Sequence, residues 1–183
     1  MRAGPARQYA ARSKNHVRRL MKIRDYEDVD APTVGRLIAE TFRKYNLSHA
    51  DPEEQERLLG PFRNAFSDDP AHREGIRNIL RSPMLYVAEE GDEIGGVLRG
   101  RENVLASLFV RGDHRGKGIW RKLVEHFERE SRAQGVTWIR VASSLFAVSF
   151  YQAMGYKKTT GIRPCPTFDG TDFKQQPMRK DFK

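Results

Sequence analysis

The spacing of apolar side chains along this chain changes several times, and each spacing predicts a different element. Before residue 84 the pattern predicts a short strand at 22–26, a helix capped by Asp30, and two further helices at 52–66 and 70–80. The first helix has its apolar positions three and four residues apart, which places them on one buried face. They are Val34, Leu37, Ile38 and Phe42.

From residue 84 onward the chain alternates between strand-like and helix-like patterns. A hairpin is predicted around the turn Gly91-Asp92, whereas the proline-containing segment 161–175 is predicted to be a loop. The remaining elements are predicted as strands at 84–89, 94–99 and 104–110, a helix at 117–133, a strand at 136–142, a short helix at 145–154, and strands at 156–160 and 178–182. Strands that alternate with helices, together with one hairpin, predict an α/β (α+β) fold with a mixed, mostly antiparallel sheet flanked by helices.

The basic side chains are concentrated at the N-terminus. The chain has 33 Lys and Arg against 24 Asp and Glu, a net charge of +9. Residues 1–24 hold eight basic side chains and no acidic one, so the rest of the chain is nearly neutral. We therefore predict a dispensable basic arm at 1–21 and a single domain at 22–183. The nearly neutral body argues against nucleic acid as a partner of the fold itself.

Composition also excludes several classes of protein. No run approaches the roughly 18 apolar residues of a membrane span, and no secretory signal pattern is visible, so no membrane partner is expected. The single cysteine, Cys165, excludes an internal disulfide and favours a reducing cytoplasm. The five histidines lack ligand spacing with one another or with Cys165, so no metal site is predicted.

A glycine- and arginine-rich corner joins the strand at 104–110 to the helix that follows. Glycines allow tight turns, and the unpaired N–H groups of a first helical turn favour an anion such as pyrophosphate. The spacing does not fit a Walker A loop, because only three residues separate Gly112 from Gly116. It does not fit a dinucleotide fingerprint either, because Arg121 stands where a third glycine or alanine belongs.

Two motifs resemble those of the GNAT superfamily of acetyl-CoA-dependent N-acetyltransferases. The first resembles the family pattern Gln/Arg-x-x-Gly-x-Gly/Ala and reads Arg115-Gly116-Lys117-Gly118-Ile119-Trp120, with a tryptophan in place of the usual small residue. The second resembles the pattern Ala-x-x-Phe-Tyr-x-x-x-Gly-Phe/Tyr and reads Ala147-Val148-Ser149-Phe150-Tyr151-Gln152-Ala153-Met154-Gly155-Tyr156. Both stand in the family's order, about one helix and one strand apart, and the resemblance extends over 84–158.

The resemblance implies a fold, a cosubstrate and a set of site residues. It implies splayed central strands, acetyl-CoA as cosubstrate, and direct attack of a primary amine of the acceptor on the thioester. The peptide groups of Leu108, Phe109 and Val110 are then expected to bind pantetheine, with the Val110 N–H facing the thioester oxygen. Tyr151 is the expected general acid that protonates the leaving thiolate. The pyrophosphate is expected to bind the N–H groups of Arg115, Gly116, Lys117, Gly118, Ile119 and Trp120.

The sequence leaves the general base open. An alkyl amine with a pKa of about 10.4 is mostly protonated at neutral pH, so a base or a water relay is expected. Glu102, just before the central strand, is one candidate, although its position also suits a solvated turn carboxylate. His49 and Glu89 are weaker candidates, and no role is assigned to His114 or Cys165.

Two alternative functions stay open beside the transferase. One is a GNAT-fold regulatory module that binds CoA without turnover; it is motivated by Trp120 and by Ser144, which stands where the family often has an asparagine. The other is nucleic-acid binding through the arm at 1–21. The acceptor is also open among small polyamines, antibiotics, amino acids, peptide N-termini and protein lysines, and so is a homodimer.

Overall fold

The computed structural model describes residues 21–112, 118–165 and 173–182 of the chain. Within these ranges the strands are β1 Met21–Asp25, β2 Met84–Glu90, β3 Glu93–Arg101, β4 Val104–Val110, β5 Trp138–Ser144, β6 Lys157–Lys158, β7 Arg163–Cys165 and β8 Phe173–Asp181. The helices are α1 Ala31–Tyr45, α2 Pro52–Leu59, α3 Pro70–Leu80, α4 Ile119–Ala133 and α5 Val148–Ala153. Short 3-10 helices occupy Asp28–Asp30, Gly60–Asn64 and Leu145–Ala147.

All the strands join in one sheet with the order β1-β2-β3-β4-β5-β8-β6, and β7 pairs with β8 beside this path. Every neighbouring pair is antiparallel except β4 and β5, which run parallel. This arrangement confirms the predicted mixed, mostly antiparallel sheet flanked by helices. The parallel pair at its centre is the feature that positions the site.

The sheet has a hydrophobic core on each face, because successive side chains of a strand point to opposite sides. In β2, Tyr86 packs into a core with α4 and α5, whereas Val87 packs into a core with α1, α2 and α3. Both side chains are buried. The central strands are therefore covered on both faces, and a ligand has to enter between them rather than lie on the sheet.

The predicted starts of α1, α2 and α3 are confirmed in position. Asp30, however, does not cap α1 with its side chain. Asp51 behaves as expected, because its carboxylate accepts the N–H of Glu54 at 2.8 Å. Asp30 occupies the N-cap position, yet its carboxylate accepts instead from the Arg24 guanidinium at 2.7 Å and 2.9 Å. Arg24 also donates to Glu89 at 2.6 Å, so this cluster ties β1 and β2 to the start of α1.

Several predicted boundaries are wrong by a few residues, and the C-terminal part by more. The segment 161–175, predicted as a loop, contains β7 and the start of β8. Pro177 lies within β8 although proline lacks an N–H. Its carbonyl nevertheless accepts the N–H of Thr159 at 3.1 Å, within a strand that pairs with β5 along its length.

The first described strand begins one residue earlier than predicted. Met21 pairs with Glu90 and therefore belongs to the sheet rather than to the arm. Residues 1–20, which make up the rest of the predicted arm, lie outside the described residues. No described helix combines the length and the apolar character that crossing a bilayer requires.

Candidate active site

A gap opens in the centre of the sheet between the two parallel strands. β4 and β5 pair only at Val104↔Arg140 and Leu105↔Val141, and the later residues of the two strands have no register partners in each other. An irregularity in the β3–β4 register leaves Ala106 without a partner, and such a bulge bends and twists the strand that carries it. The splay of the central strands expected from the sequence is therefore present, and it begins where the bulge lies.

In β4, peptide groups that hydrogen-bond to β3 alternate with peptide groups that point the other way, and the latter face this gap. The Arg111 N–H donates to the Gly95 carbonyl at 2.9 Å. Peptide groups alternate along an antiparallel pair, so those of Leu108 and Val110 point away from β3, into the gap. Those of Phe109 point to β3, and the expectation that they lie free is wrong for this residue.

A cleft of about 440 Å³ follows the gap through the sheet. Its lining combines both splayed strands with side chains from α1, α2, α4 and α5. The lining residues are Phe42, Asn46, Leu58, Arg99, Leu105, Ala106, Ser107, Leu108, Phe109, Trp120, Val141, Ala142, Ser143, Ser144, Phe146, Ala147, Tyr151 and Gln175. Arg99 is the one charged side chain in this lining, as far as the described residues go.

Tyr151 lies on α5, on the same face of the sheet as α4, and lines the cleft. Its ring packs edge-on against Phe150 and Tyr156, with centroid distances of 5.1 Å and 5.4 Å. The side chain is 4% exposed, and this burial raises the pKa of the Tyr151 hydroxyl. The hydroxyl is therefore protonated at neutral pH and can act as a proton donor inside the cleft.

Trp120, which departs from the family pattern, also lines the cleft. Its indole packs edge-on against Phe150 at 5.2 Å and Phe146 at 6.1 Å between ring centroids. The ring thus rests on α5 and the preceding turn. Its Nε1 is buried and has no hydrogen-bond partner among the described residues, which is unusual for a buried donor.

The start of α4 is shaped by two glycines. Gly118 is the N-cap and has φ 73°, a conformation that costs other residues free energy. A Cβ on Gly96 of β3 would lie 2.8 Å from Ile119, so this glycine lets the first turn of α4 approach the sheet. The other residues predicted to bind pyrophosphate, Arg115, Gly116 and Lys117, lie outside the described residues, as does His114.

The base candidates from the sequence do not line the cleft. Glu102 is exposed in the turn between β3 and β4, with φ 45°, and its carbonyl accepts from Ser131 at 3.2 Å. Glu89 pairs with Arg24 on the outer strands. His49 lines an adjoining cavity of about 460 Å³ that shares Asn46, Leu58, Ser144 and Phe146 with the cleft. The placement favours neither glutamate as a base, and all three roles stay predictions.

Sequence reasoning missed Arg99, although the pattern contained a signal. Val97 and Arg99 are two residues apart in β3, so they lie on the same face of the sheet. When a charged residue lies two positions from a buried apolar residue of the same strand, its side chain is expected to point inward as well. No group of three or more His, Cys, Asp or Glu side chains among the described residues is placed to hold a metal ion.

Comparison with known proteins agrees with this geometry. Residues 49–182 match the family model described as acetyltransferase (GNAT) domain. The peptidyl-lysine N-acetyltransferase YjaB of Salmonella typhimurium is 32% identical over 127 residues, which cover 62% of this chain and 84% of that protein.

Two solved structures share the fold. A GCN5-related N-acetyltransferase from Rhodopseudomonas palustris aligns with a TM-score of 0.70 at 17% identity, over 88% of this chain and 95% of that one. The PaiA N-acetyltransferase of Thermoplasma acidophilum, in complex with coenzyme A, aligns with a TM-score of 0.68 at 19% identity, over 89% and 99% of the two chains.

Proposed function

This chain belongs to the GNAT acetyltransferase family, and we propose that it transfers the acetyl group of acetyl-CoA directly to a primary amine within the β4–β5 cleft. The observation that carries the proposal is the splay of β4 from β5, which turns the peptide groups of Leu108 and Val110 towards the gap between the strands. Leu108 and Tyr151 both line the cleft that follows this gap. The free peptide groups of such a strand edge suit the binding of a thioester that carries amides. The nearby protonated hydroxyl suits its cleavage, because it can donate a proton to the leaving sulfur.

The described residues fit acetyl-CoA. The peptide groups of Leu108 and Val110 offer strand-like donors and acceptors to the pantetheine amides, and the unpartnered Trp120 Nε1 offers a further buried donor. The N-terminus of α4, from Gly118 onward, presents N–H groups and the positive end of a helix dipole to the pyrophosphate. Contributions from Arg115, Gly116 and Lys117 remain predictions. When bound, acetyl-CoA supplies the activated acyl carbon.

Two groups of the chain are assigned to the chemical step. The Val110 N–H donates to the acetyl oxygen as negative charge develops there, and a fixed donor of this kind needs no reorganisation during the reaction. The amine nitrogen forms its bond to the acyl carbon while the carbon–sulfur bond breaks. Tyr151 gives its hydroxyl proton to the sulfur and regains one released by the amine, so the protons balance.

The cleft favours the neutral form of the acceptor amine, although its described lining contains no carboxylate that could take the proton. A nearby positive charge disfavours the ammonium form of an amine and lowers its pKa. Arg99 supplies such a charge, and no Asp, Glu or His stands in the described lining. The proton that an ammonium acceptor loses before attack leaves through water held by polar groups such as Ser143, Ser144 and Gln175, or towards His49 in the adjoining cavity.

The direct test is to incubate the full chain with acetyl-CoA and a panel of amines, measuring free thiol and identifying acetylated amines by mass spectrometry. We expect stoichiometric thiol release and amine acetylation with at least one class of acceptor. Acetyl-CoA binding without turnover on any amine would contradict the proposal and favour the non-catalytic CoA-binding module. Tyr151→Phe is the matched control, because it keeps the ring and removes the proton donor.

A further inference from the structure

We propose that the acceptor is a small amino acid that carries a free carboxylate beside its amine and a compact apolar side chain. This inference rests on the proposed function and names the substrate class of the same site. It is carried by the surroundings of Arg99, a charged side chain inside the cleft, and by a second, apolar cavity that opens beside it.

The Arg99 guanidinium has more N–H donors than its hydrogen bond to Ile79 uses. It lies in β3 opposite Ser107, and both side chains line the cleft. One guanidinium nitrogen donates to the carbonyl of Ile79, near the end of α3, at 2.7 Å. A guanidinium has five N–H donors arranged in a fork that matches a carboxylate. The contact with Ile79 therefore leaves most of this fork for a ligand.

The charge of Arg99 is not compensated by any carboxylate in the described lining. Its partial burial, and secondarily the positive charge of Arg101, lower the pKa of the Arg99 guanidinium. A partly buried cation without an anionic partner is costly, and a ligand anion would supply the missing partner. A polyamine would instead add like charge to the cleft. The electrostatics thus select an acceptor that brings a negative group.

The apolar cavity defines the other half of the acceptor. It measures about 90 Å³, several times the roughly 10–15 Å³ that a single water molecule needs. It shares four lining residues with the cleft: Phe42, Arg99, Ser107 and Phe109. The other lining residues are Ile38, Phe62, Leu80, Leu85 and Val97, all apolar and buried.

Arg99 and the apolar cavity together fit an α-amino acid. The amine, the carboxylate and the side chain of an α-amino acid are all bonded to the same carbon atom. The site can therefore hold all three groups close together. The carboxylate would pair with Arg99, the side chain would enter the apolar cavity, and the amine would remain in the cleft lined by Tyr151. A lysine side chain of a peptide has no carboxylate near its ε-amine and cannot use Arg99 in this way.

The test compares acceptors that differ only in the negative group. Leucine and valine are each assayed against their own carboxamides, with a lysine-containing peptide as a further acceptor. The value of kcat/KM is measured at saturating acetyl-CoA and expressed per neutral amine, because loss of the carboxylate charge also lowers the pKa of the acceptor amine. We expect each free amino acid to exceed its carboxamide by about tenfold or more, the range for a hydrogen bond to a charged group. Equal or better use of the carboxamides or of the lysine peptide would overturn the inference while leaving the transferase in place.

Variants separate recognition from structural support. Arg99→Gln should lower kcat/KM for the free amino acids at least about tenfold more than for their carboxamides, while Arg99→Lys should keep part of the preference. The control is Arg101→Gln, which removes an equal charge from an exposed side chain of the same strand, outside the cleft lining. An equal loss on acids and carboxamides with Arg99→Gln would assign Arg99 to structural support of α3 instead.

A binding measurement keeps the inference separate from the proposed function. The CoA-loaded wild-type protein is titrated calorimetrically with N-acetyl-leucine and with its carboxamide. Tighter binding of the carboxylate supports the inference even if no amine is turned over, in which case the proposed transfer has failed by itself. Equal affinity for both compounds contradicts the inference, whatever the outcome of the turnover assay.

Discussion

At the scale of single residues, the site depends on side chains whose surroundings decide their chemistry. The buried ring of Tyr151 keeps its hydroxyl protonated, since burial raises the pKa of this group. Trp120 is held by two aromatic rings while its Nε1 has no partner among the described residues. Each of the two can be tested by a substitution that keeps an aromatic ring at the position and removes the polar atom.

We predict that Tyr151→Phe lowers kcat by about 10²–10⁴-fold, the usual contribution of general acid catalysis. Acetyl-CoA affinity, measured by calorimetry, should stay within about twofold, because the ring and its packing remain. Wild-type kcat should show no loss from ionisation of Tyr151 below its ordinary pKa of about 10, because the folded value lies higher. An unchanged kcat in the variant, where chemistry limits the rate, would remove Tyr151 from the proton transfer.

The pair Trp120→Phe and Trp120→Gly tests the departure from the family pattern. Trp120→Gly should destabilise the fold by roughly 2–3 kcal/mol, because it removes a large, partly buried ring. Trp120→Phe should keep most of this stability and weaken acetyl-CoA binding by a few-fold through loss of the indole donor. Urea unfolding and calorimetric titration measure the two effects. Tighter acetyl-CoA binding in Trp120→Gly would show that the indole blocks the site.

At the scale of elements, the fold places helix starts against the sheet at defined points. The first turn of α4 depends on the positive φ of Gly118, and the first turn of α1 is held by the cluster of Arg24, Asp30 and Glu89. These contacts link elements that are far apart in sequence, and each has a measurable consequence.

Gly118→Ala should cost about 1–2 kcal/mol, because an alanine Cβ disfavours the left-handed conformation at the N-cap of α4. It should also weaken acetyl-CoA binding, since the N–H groups of the first turn would be displaced. Gly75→Ala is the control: this glycine lies within α3, and an added Cβ meets no atom within 4 Å. It should stabilise the protein by about 0.5–1 kcal/mol. Equal effects of both substitutions would contradict a special role for Gly118.

The Asp30 cluster predicts a pH dependence of stability. Burial by itself would raise the pKa of Asp30, but the hydrogen bonds from Arg24 and the Glu27 N–H outweigh it and lower the pKa. The stabilisation is therefore complete above the unfolded-state pKa of about 3.9 and is lost as the pH falls towards the lower folded value.

Asp30→Asn should lose about 3 kcal/mol at pH 7, because it leaves the Arg24 guanidinium without its main partner. Below the folded pKa of Asp30 the two proteins should approach each other in stability. Urea midpoints measured from pH 7 down to about pH 2 provide the test. A difference that stays constant over this range would show that the charge of Asp30 is not the cause.

At the scale of the whole molecule, the described fold starts with β1 at Met21 and uses this strand in one edge of the sheet. We predict that removal of residues 1–20 leaves the unfolding midpoint and the acetyl-CoA affinity unchanged. Removal of residues 1–26 should lower the midpoint strongly, because it deletes β1 and with it Arg24. A large loss of either property in the shorter truncation would assign residues 1–20 to the folded domain or its assembly.

The sequence by itself determined the local elements and the identity of the two motifs. The turn at Gly91-Asp92, the strand Val104–Val110 and the helix Pro70–Leu80 are found as predicted. Each follows from turn chemistry or periodicity within a few residues, which is information that a short segment contains. The same holds for Tyr151, whose neighbours within its own motif indicated its place.

Tertiary structure alone decided which residues meet in the cleft. The pairing phase of β3 and β4 turned Val110 into the gap and Phe109 away from it, and the splay itself depends on two strands that are about 30 residues apart. Arg99 was brought into the lining and Glu102 was left in an exposed turn, although only three positions separate them. The alternation in β3 could indicate that Arg99 points inward, but strand pairing and burial are set by distant parts of the chain, so no local pattern could place it in the cleft.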